Sequence, residues 1–221
     1  VTADTTVCVF AKEPRPGLAK TRLISALGAR GAAALASAFL ADTLALVAAL
    51  PLARLVVVYD GEDAARRFDP TVTVWPQGGG DMGERMERAL ARALADTPLV
   101  ILIGSDLPGL PPSVIEDARR FLLDGADVTL GPAADGGFYL IGLRRCPAGL
   151  LSGLPWSVAE TRQRSEERFA ALGLRVARVA SWFDVDCPQD IDRLRERVAR
   201  GVVVAPATRR ALAELGVLKG D

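Results

Sequence analysis

The chain has 221 residues, half of them apolar and 24% charged, and its 27 Lys and Arg balance its 27 Asp and Glu. That is enough chain to bury the core of one ordinary domain, and a formal charge of zero offers no basic face for a duplex, so nucleic acid is not an expected partner. The chain contains no histidine, which excludes Ser-His-Asp and Cys-His nucleophile pairs, histidine zinc sites and imidazole bases together. Cys8, Cys146 and Cys187 are too widely spaced for a Cys-x-x-Cys pattern and read as reduced thiols. A metal site would then be built from carboxylates, which select hard ions such as Mg²⁺ or Mn²⁺.

The N-terminus, VTADTTVCVF, lacks the basic start of a signal peptide. The first strand is expected at Thr6–Phe10. The uncharged stretches Gly31–Ala41 and Thr43–Ala53 each fall short of the ~20 residues of a membrane span. They read as one long, alanine-rich buried helix over Ala29–Leu50, ended by Pro51, and the expectation is a soluble cytoplasmic protein without a membrane span. A strand at Leu55–Tyr59, a helix at Glu62–Phe68, a strand at Val72–Trp75 and a helix at Met82–Ala95 follow. The most hydrophobic strand, Leu99–Ile103, precedes a helix at Ser113–Leu123. Strands at Val128–Leu130 and Phe138–Leu143, a helix at Ser157–Leu172, a strand at Arg175–Val179 and a helix at Pro188–Arg200 complete the series.

Continuous apolar strands such as Val100-Ile101-Leu102-Ile103 suit a largely parallel sheet covered on both faces. Around Asp135–Leu143 two strands follow each other with only a glycine turn between them, which predicts a mixed sheet. Capping boxes are expected at Ser113 with Glu116 and at Ser157 with Glu160. The fold class is therefore α/β, a single domain with a mixed, mostly parallel sheet flanked by helices. The domain is placed at residues 1–201 and a C-terminal extension at 202–221. In such a sheet, ligands bind at the loops leaving the carboxyl ends of the strands.

The first of those loops, FAKEPRPGLAKTRL (residues 10–23), places Lys12, Arg15, Lys20 and Arg22 within eleven residues, opposed only by Glu13. Pro14, Pro16 and Gly17 turn it, and a helix follows, so its cations and backbone N–H groups read as a polyphosphate cradle; the plain alternative is a solvated basic turn. It is not a Walker A loop, whose leading glycine is missing. GGGDMGERM (78–86) has glycines in dinucleotide-fingerprint spacing but follows the third strand. Its glycines would let backbone approach a ligand, with Arg85 reaching phosphate or base; the alternative is a flexible loop before a helix. Asp106 in GSDLPGL (104–110), Asp135 in GPAADGGFYLIGL (131–143), and Asp184 and Asp186 in DVDCPQDI (184–191) all stand at strand ends. Each aspartate alone could be a turn or cap residue, Asp186 for instance an N-cap with Gln189 three residues on. Together they supply carboxylates to hold a divalent ion against phosphates.

These segments, with PWS at 155–157, occur in the order found in the nucleotide-diphospho-sugar transferase (GT-A) superfamily, which the chain resembles over roughly residues 5–200. Within it, the likeness is to small bacterial proteins commonly named glycosyltransferases, related to the phospholactate guanylyltransferases and more distantly to molybdenum-cofactor guanylyltransferase. The resemblance implies a mixed α/β sandwich with a Rossmann-like nucleotide half. It implies that Lys20 and Arg22 match the basic signature on the phosphates, that Asp106 matches the metal-binding aspartate, and that Asp186 matches a second carboxylate, with Asp184 beside it. The implied nucleotide-binding set is Ala11, Lys12, Gly17, Lys20, Arg22, Gly83, Arg85 and Ser105. By the same resemblance Asp135, Gly136, Gly137, Trp156 and Ser157 would line the acceptor side, and Lys20, Arg22 and Asp106 would form the catalytic set. The first loop departs from the sugar-phosphate nucleotidyltransferases, carrying Pro14 and Pro16 in place of a glycine-rich opening.

The leading expectation is a Mg²⁺- or Mn²⁺-dependent nucleotidyltransferase that joins a nucleoside triphosphate to a phosphorylated small molecule and releases pyrophosphate. A phosphate monoester is largely ionised at pH 7, so this reaction needs positioning, a metal and cations but no general base, as suits a histidine-free chain. The alternative is a glycosyltransferase with a nucleotide-sugar donor and Asp135 as base toward a small-molecule acceptor. A nucleotide-binding module without turnover is the third reading.

Overall fold

Short aliphatic and β-branched runs form one seven-stranded sheet in the computed structural model, which describes residues 3–51, 53–62 and 64–218. The strands are β1 (Thr5–Lys12), β2 (Ala53–Asp60), β3 (Thr73–Pro76), β4 (Leu99–Gly104), β5 (Val128–Pro132), β6 (Phe138–Leu143) and β7 (Val176–Arg178), in the order β3-β2-β1-β4-β6-β5-β7. Neighbours among β1–β4 pair in parallel; β6 enters antiparallel between β4 and β5, and β7 is parallel to β5. The expected fold class is the one that forms. Strand order turns back between β1 and β4, so their carboxyl ends open a crevice there.

Alternation along each strand divides the core. Val7, Val9, Val57, Ile101 and Ile103 face one side, under α1 (Ile24–Ala48) and α4 (Pro112–Leu123). Cys8, Val56, Val58, Val100 and Leu102 face the other, under α3 (Met82–Leu94), with Phe169 of α5 (Thr161–Ala171) in the same cluster. The short α2 (Ala64–Arg67) follows β2, and α6 (Pro188–Ala199) and α7 (Pro206–Glu214) form a third core with α1 through Leu35, Phe39, Leu194 and Leu212.

Several local expectations change. The first apolar stretch and the second as far as Ala48, two residues short of the expected helix end at Leu50, join a preceding 3-10 turn in one segment, Thr21–Ala48, which is long and apolar enough to cross a membrane by length and composition. Its buried residues instead lie against the sheet and the C-terminal helices. Gly28, with φ 69° and ψ 165°, breaks this segment, which is why regular periodicity begins at Ala29. The expected capping boxes at Ser113 and Ser157 do not form. Pro111 and Pro112 start α4 ahead of Ser113, since proline suits the first turn, and Ser157 is left-handed while α5 starts at Thr161. Boxes form at Asp81 with Glu84 and at Cys187 with Asp190, so Cys187 takes the cap expected of Asp186. Asp63, inside the helix expected at Glu62–Phe68, and residues 1, 2 and 219–221 of the expected domain and extension lie outside the described residues.

Residues 202–218 return to the body of the protein. The Asp42 carboxylate on α1 accepts the N–H groups of Ala207 (2.9 Å) and Thr208 (2.8 Å), meeting two of the orphan donors of α7 from another helix. Asp42→Ala is expected to cost about 0.5–2 kcal/mol of stability, the usual range for a lost cap, and to speed amide exchange in α7 ahead of the sheet. Unchanged exchange there would mean that α7 is held by its apolar contacts alone.

Candidate functional site

Three loops meet at the carboxyl edge of β1 and β4. The first leaves β1, turns at Gly17 (φ 82°) and ends at Lys20, whose backbone is left-handed (φ 47°, ψ 48°). The second leaves β4 through Ser105 and Asp106, and the third enters α6 through Asp184 and Asp186. Lys20 Nζ donates to Asp106 Oδ2 and Asp186 Oδ1, each at 2.5 Å. The Lys20 side chain is only 11% exposed, against 32% for Asp106 and 45% for Asp186. Burial alone would lower the Lys20 pKa; the two carboxylates more than reverse this and hold it above the ordinary lysine value. The Asp190 carboxylate accepts the N–H groups of Asp186 (3.1 Å) and Cys187 (2.9 Å), which fixes the loop carrying Asp186.

Two cavities adjoin this ion triad, and Asp106 and Ser157 line both. One, of about 520 Å³, is bounded by Lys12, Lys20, Arg22, Ser105 and Asp186. Among the described residues neither Lys12 nor Arg22 has an ion-pair partner, whereas Arg15 turns away to Glu13 (3.0 Å) and Glu62 (3.2 Å). The other, of about 220 Å³, is lined by Phe10, Met82, Met86, Phe138 and Trp156, with Asp106, Asp135 and Asp184 and no Lys or Arg. Burial, then the charges of Asp106 and Asp186, push the Asp184 carboxyl up to about 6.

The remaining sequence-derived residues divide. Gly137 and Trp156 line the smaller cavity, and Phe138 meets Trp156 edge to face. Asp135 Oδ1 accepts the Gly137 N–H at 2.9 Å, so this exposed carboxylate shapes the β5–β6 turn. Gly136 and Gly83 are required by packing. A Cβ at Gly136 would come within 2.1 Å of the Ala159 carbonyl, and one at Gly83 within 2.1 Å of the Leu151 carbonyl and 3.0 Å of Trp156 Nε1. Ala11, Gly17, Gly83, Gly136 and Arg85 line neither cavity. Arg85 donates to Gln77 Oε1 (3.0 Å) and lies 3.6 Å from Asp60.

Sequence reasoning missed Gln77, Thr161 and Asp190. Gln77 is buried, and its Nε2 donates to the carbonyls of Ala11 (3.0 Å) and Val58 (3.3 Å), tying the end of β1 to β2. Thr161 Oγ1 lies 2.8 Å from the Pro155 carbonyl and 2.7 Å from that of Val158, and the Arg162 N–H donates to Gly136 O at 3.0 Å. These bonds hold Ser157 at φ 60° over both cavities. Lys20 and Ser157 are the two non-glycine residues with positive φ among those described. Such backbone persists only where its surroundings over-determine it. The capping signal Asp-x-x-Glu at 81–84 was present in the sequence; Gln77 left no periodic signal.

As for a metal, no three Asp, Glu, Cys or His side chains come together as a ligand cluster among the described residues. Two carboxylate oxygens do converge on one cation, the Lys20 ammonium, and they are the hard donors that Mg²⁺ or Mn²⁺ takes. The donor set of Asp106 and Asp186 thus fits a divalent ion.

Residues 43–158 match the family model described as "Uncharacterized protein conserved in bacteria (DUF2064)". The chain belongs to the DUF2064 family. It is 31% identical to a protein of Desulfovibrio desulfuricans G20 provisionally described as a nucleotide-diphospho-sugar transferase, with a TM-score of 0.86 over 99% of this chain and all of that one. The fold recurs in CMP:2-keto-3-deoxy-manno-octonic acid synthetase complexed with CTP, 14% identical with a TM-score of 0.60 over 90% of this chain and 100% of that one. It recurs again in glucosyl-3-phosphoglycerate synthase from Mycobacterium tuberculosis in complex with Mn²⁺, UDP and phosphoglyceric acid, 17% identical with a TM-score of 0.54 over 99% and 80%. No curated protein matches the sequence. The DUF2064 chain thus carries the nucleotide-diphospho-sugar transferase fold, as its sequence motifs imply.

Gly83→Ala in this family member is expected to lower stability by about 1–3 kcal/mol, the cost of overpacking, and the melting temperature by several degrees. Gly79→Ala, where a Cβ meets nothing within 4 Å, is expected to stay within about 0.5 kcal/mol of the parent. Equal melting of the two variants would remove the packing role given to Gly83.

Proposed function

We propose that this transferase is divalent-metal-dependent and handles a nucleotide-diphospho-sugar, with the phosphates in the cationic cavity and an uncharged, sugar-sized group in the smaller one. The separation of charge across Asp106 carries this reading: Lys12, Lys20 and Arg22 line one side, and aromatic side chains and carboxylates without Lys or Arg line the other. Carboxylates accept hydroxyl protons and aromatic faces cover the C–H side of a ring, whereas a phosphate in the smaller cavity would meet only like charge.

The reaction that fits is nucleotidyl transfer from a nucleoside triphosphate to a phosphorylated acceptor, with release of pyrophosphate. Asp106 and Asp186 would hold Mg²⁺ or Mn²⁺, which when bound neutralises phosphate charge where the two cavities meet. Lys12, Lys20 and Arg22 bind and orient the phosphates and favour the charge that builds up on the leaving group. An acceptor phosphate is already ionised near neutral pH, so no residue has to remove a proton. Asp135, the base that glycosyl transfer would use on sequence grounds, is engaged by its own turn. Glycosyl transfer is the second reading, favoured by the position of Asp184 in the smaller cavity, where a base facing an acceptor hydroxyl would stand.

Incubation with Mg²⁺, each common nucleoside triphosphate and a panel of sugar phosphates is expected to release pyrophosphate. Asp106→Ala and Asp186→Ala are expected to abolish that release without unfolding the protein, and Arg22→Ala to slow it roughly tenfold to a hundredfold, as for one lost charge-assisted contact. Release of nucleoside diphosphate from a nucleotide sugar, with no pyrophosphate from any triphosphate, would give the site to glycosyl transfer.

A further inference from the structure

Lys20 sits between Asp106 and Asp186, the two carboxylates that the proposed function gives to a divalent ion. Its ammonium makes 2.5 Å contacts to Asp106 and Asp186, carboxylates that border the two cavities. An ammonium and a divalent ion in contact with these same two oxygens would repel each other strongly in a part-buried site, so the two cations compete for the pair. We propose that Lys20 is the resident cation of this site: it neutralises Asp106 and Asp186 in the metal-free protein, and a divalent ion binds them only by displacing it. The inference rests on the reading that Asp106 and Asp186 hold the metal.

Three features of the site support the exchange. The carboxylates are three to four times as exposed as the lysine side chain, so an ion from solvent reaches them while the ammonium lies on the inner side. The cationic cavity lies alongside, with Lys20 itself in its wall, so a displaced ammonium has an anion-receiving space to enter. The left-handed backbone at Lys20 aims its side chain into the carboxylate pair, although lysine gains nothing locally from that conformation. Metal alone is then a poor ligand for the native protein, since it must displace a cation already well paired.

The test is the affinity for Mn²⁺ alone, followed by electron paramagnetic resonance and by calorimetry, for the native chain and for Lys20→Met, which keeps the apolar stem and removes the charge. Lys20→Met is expected to bind Mn²⁺ at least tenfold more tightly than the native chain, and Lys20→Arg to stay near the native value. Adding Asp186→Asn to Lys20→Met is expected to cancel the gain. Lys20→Gln serves as the neutral variant if Lys20→Met fails to fold. Native Mn²⁺ affinity equal to or above that of the neutral variant would overturn the exchange and leave the metal assignment standing. Absence of Mn²⁺ binding in all variants, up to millimolar ion, would overturn the exchange and the metal assignment together. A gain that survives Asp186→Asn would place the ion elsewhere and overturn the exchange.

Discussion

A partly buried lysine held between two aspartates organises the carboxyl edge of the sheet. Lys20, Asp106 and Asp186 come from three loops separated by 86 and 166 residues from the lysine. Their pairing draws those loops over the switch point between β1 and β4. Burial of the ammonium disfavours its charged form, and the two carboxylates more than offset that cost. Removing one partner would leave buried charge poorly compensated, so the loops are bound to one another as firmly as the ion pair is to its site. The second left-handed residue, Ser157, closes the same mouth from the opposite side, held by Thr161 and by the contact of α5 with the β5–β6 turn.

The cavities on either side of this triad differ in the charge they can accept. Lys12 and Arg22 line the larger cavity and have no ion-pair partner among the described residues, while the smaller cavity combines Phe10, Phe138 and Trp156 with three carboxylates. A two-part ligand, anionic at one end and neutral with hydroxyls at the other, is matched by that division, and the match holds for nucleotidyl and for glycosyl transfer alike. The difference between the two reactions lies in whether an acceptor proton has to be taken. Carboxylates rather than imidazoles would have to take it in a chain without histidine.

Much of this architecture was legible in the sequence, because the strands of the central sheet are continuous aliphatic runs and parallel burial leaves that mark. The antiparallel β6 was legible from the diglycine turn before Phe138, and the basic loop after β1 from its four cations. Pairings across the fold left no such mark. That Lys20, with a left-handed backbone that no periodicity reveals, would face Asp106 and Asp186 while Arg15 would pair with Glu13 and Glu62 is a matter of tertiary placement. Gly83 read as a backbone that approaches a ligand, yet the group that needs the space is the Leu151 carbonyl. Gln77 and Asp190 act through backbone groups brought near by topology, and α7 forms where Asp42, far earlier in the chain, supplies its cap.

The most direct test of this account is the position of a Mn²⁺ ion in crystals grown with Mn²⁺ and a nucleoside triphosphate, located by anomalous scattering at the manganese edge. The account predicts one peak between the carboxylates of Asp106 and Asp186, phosphates extending toward Lys12 and Arg22, and the Lys20 ammonium moved from the aspartates onto the phosphates. A nucleotide bound with its phosphates in the cavity of Phe138 and Trp156, or with manganese away from Asp106 and Asp186, would contradict it.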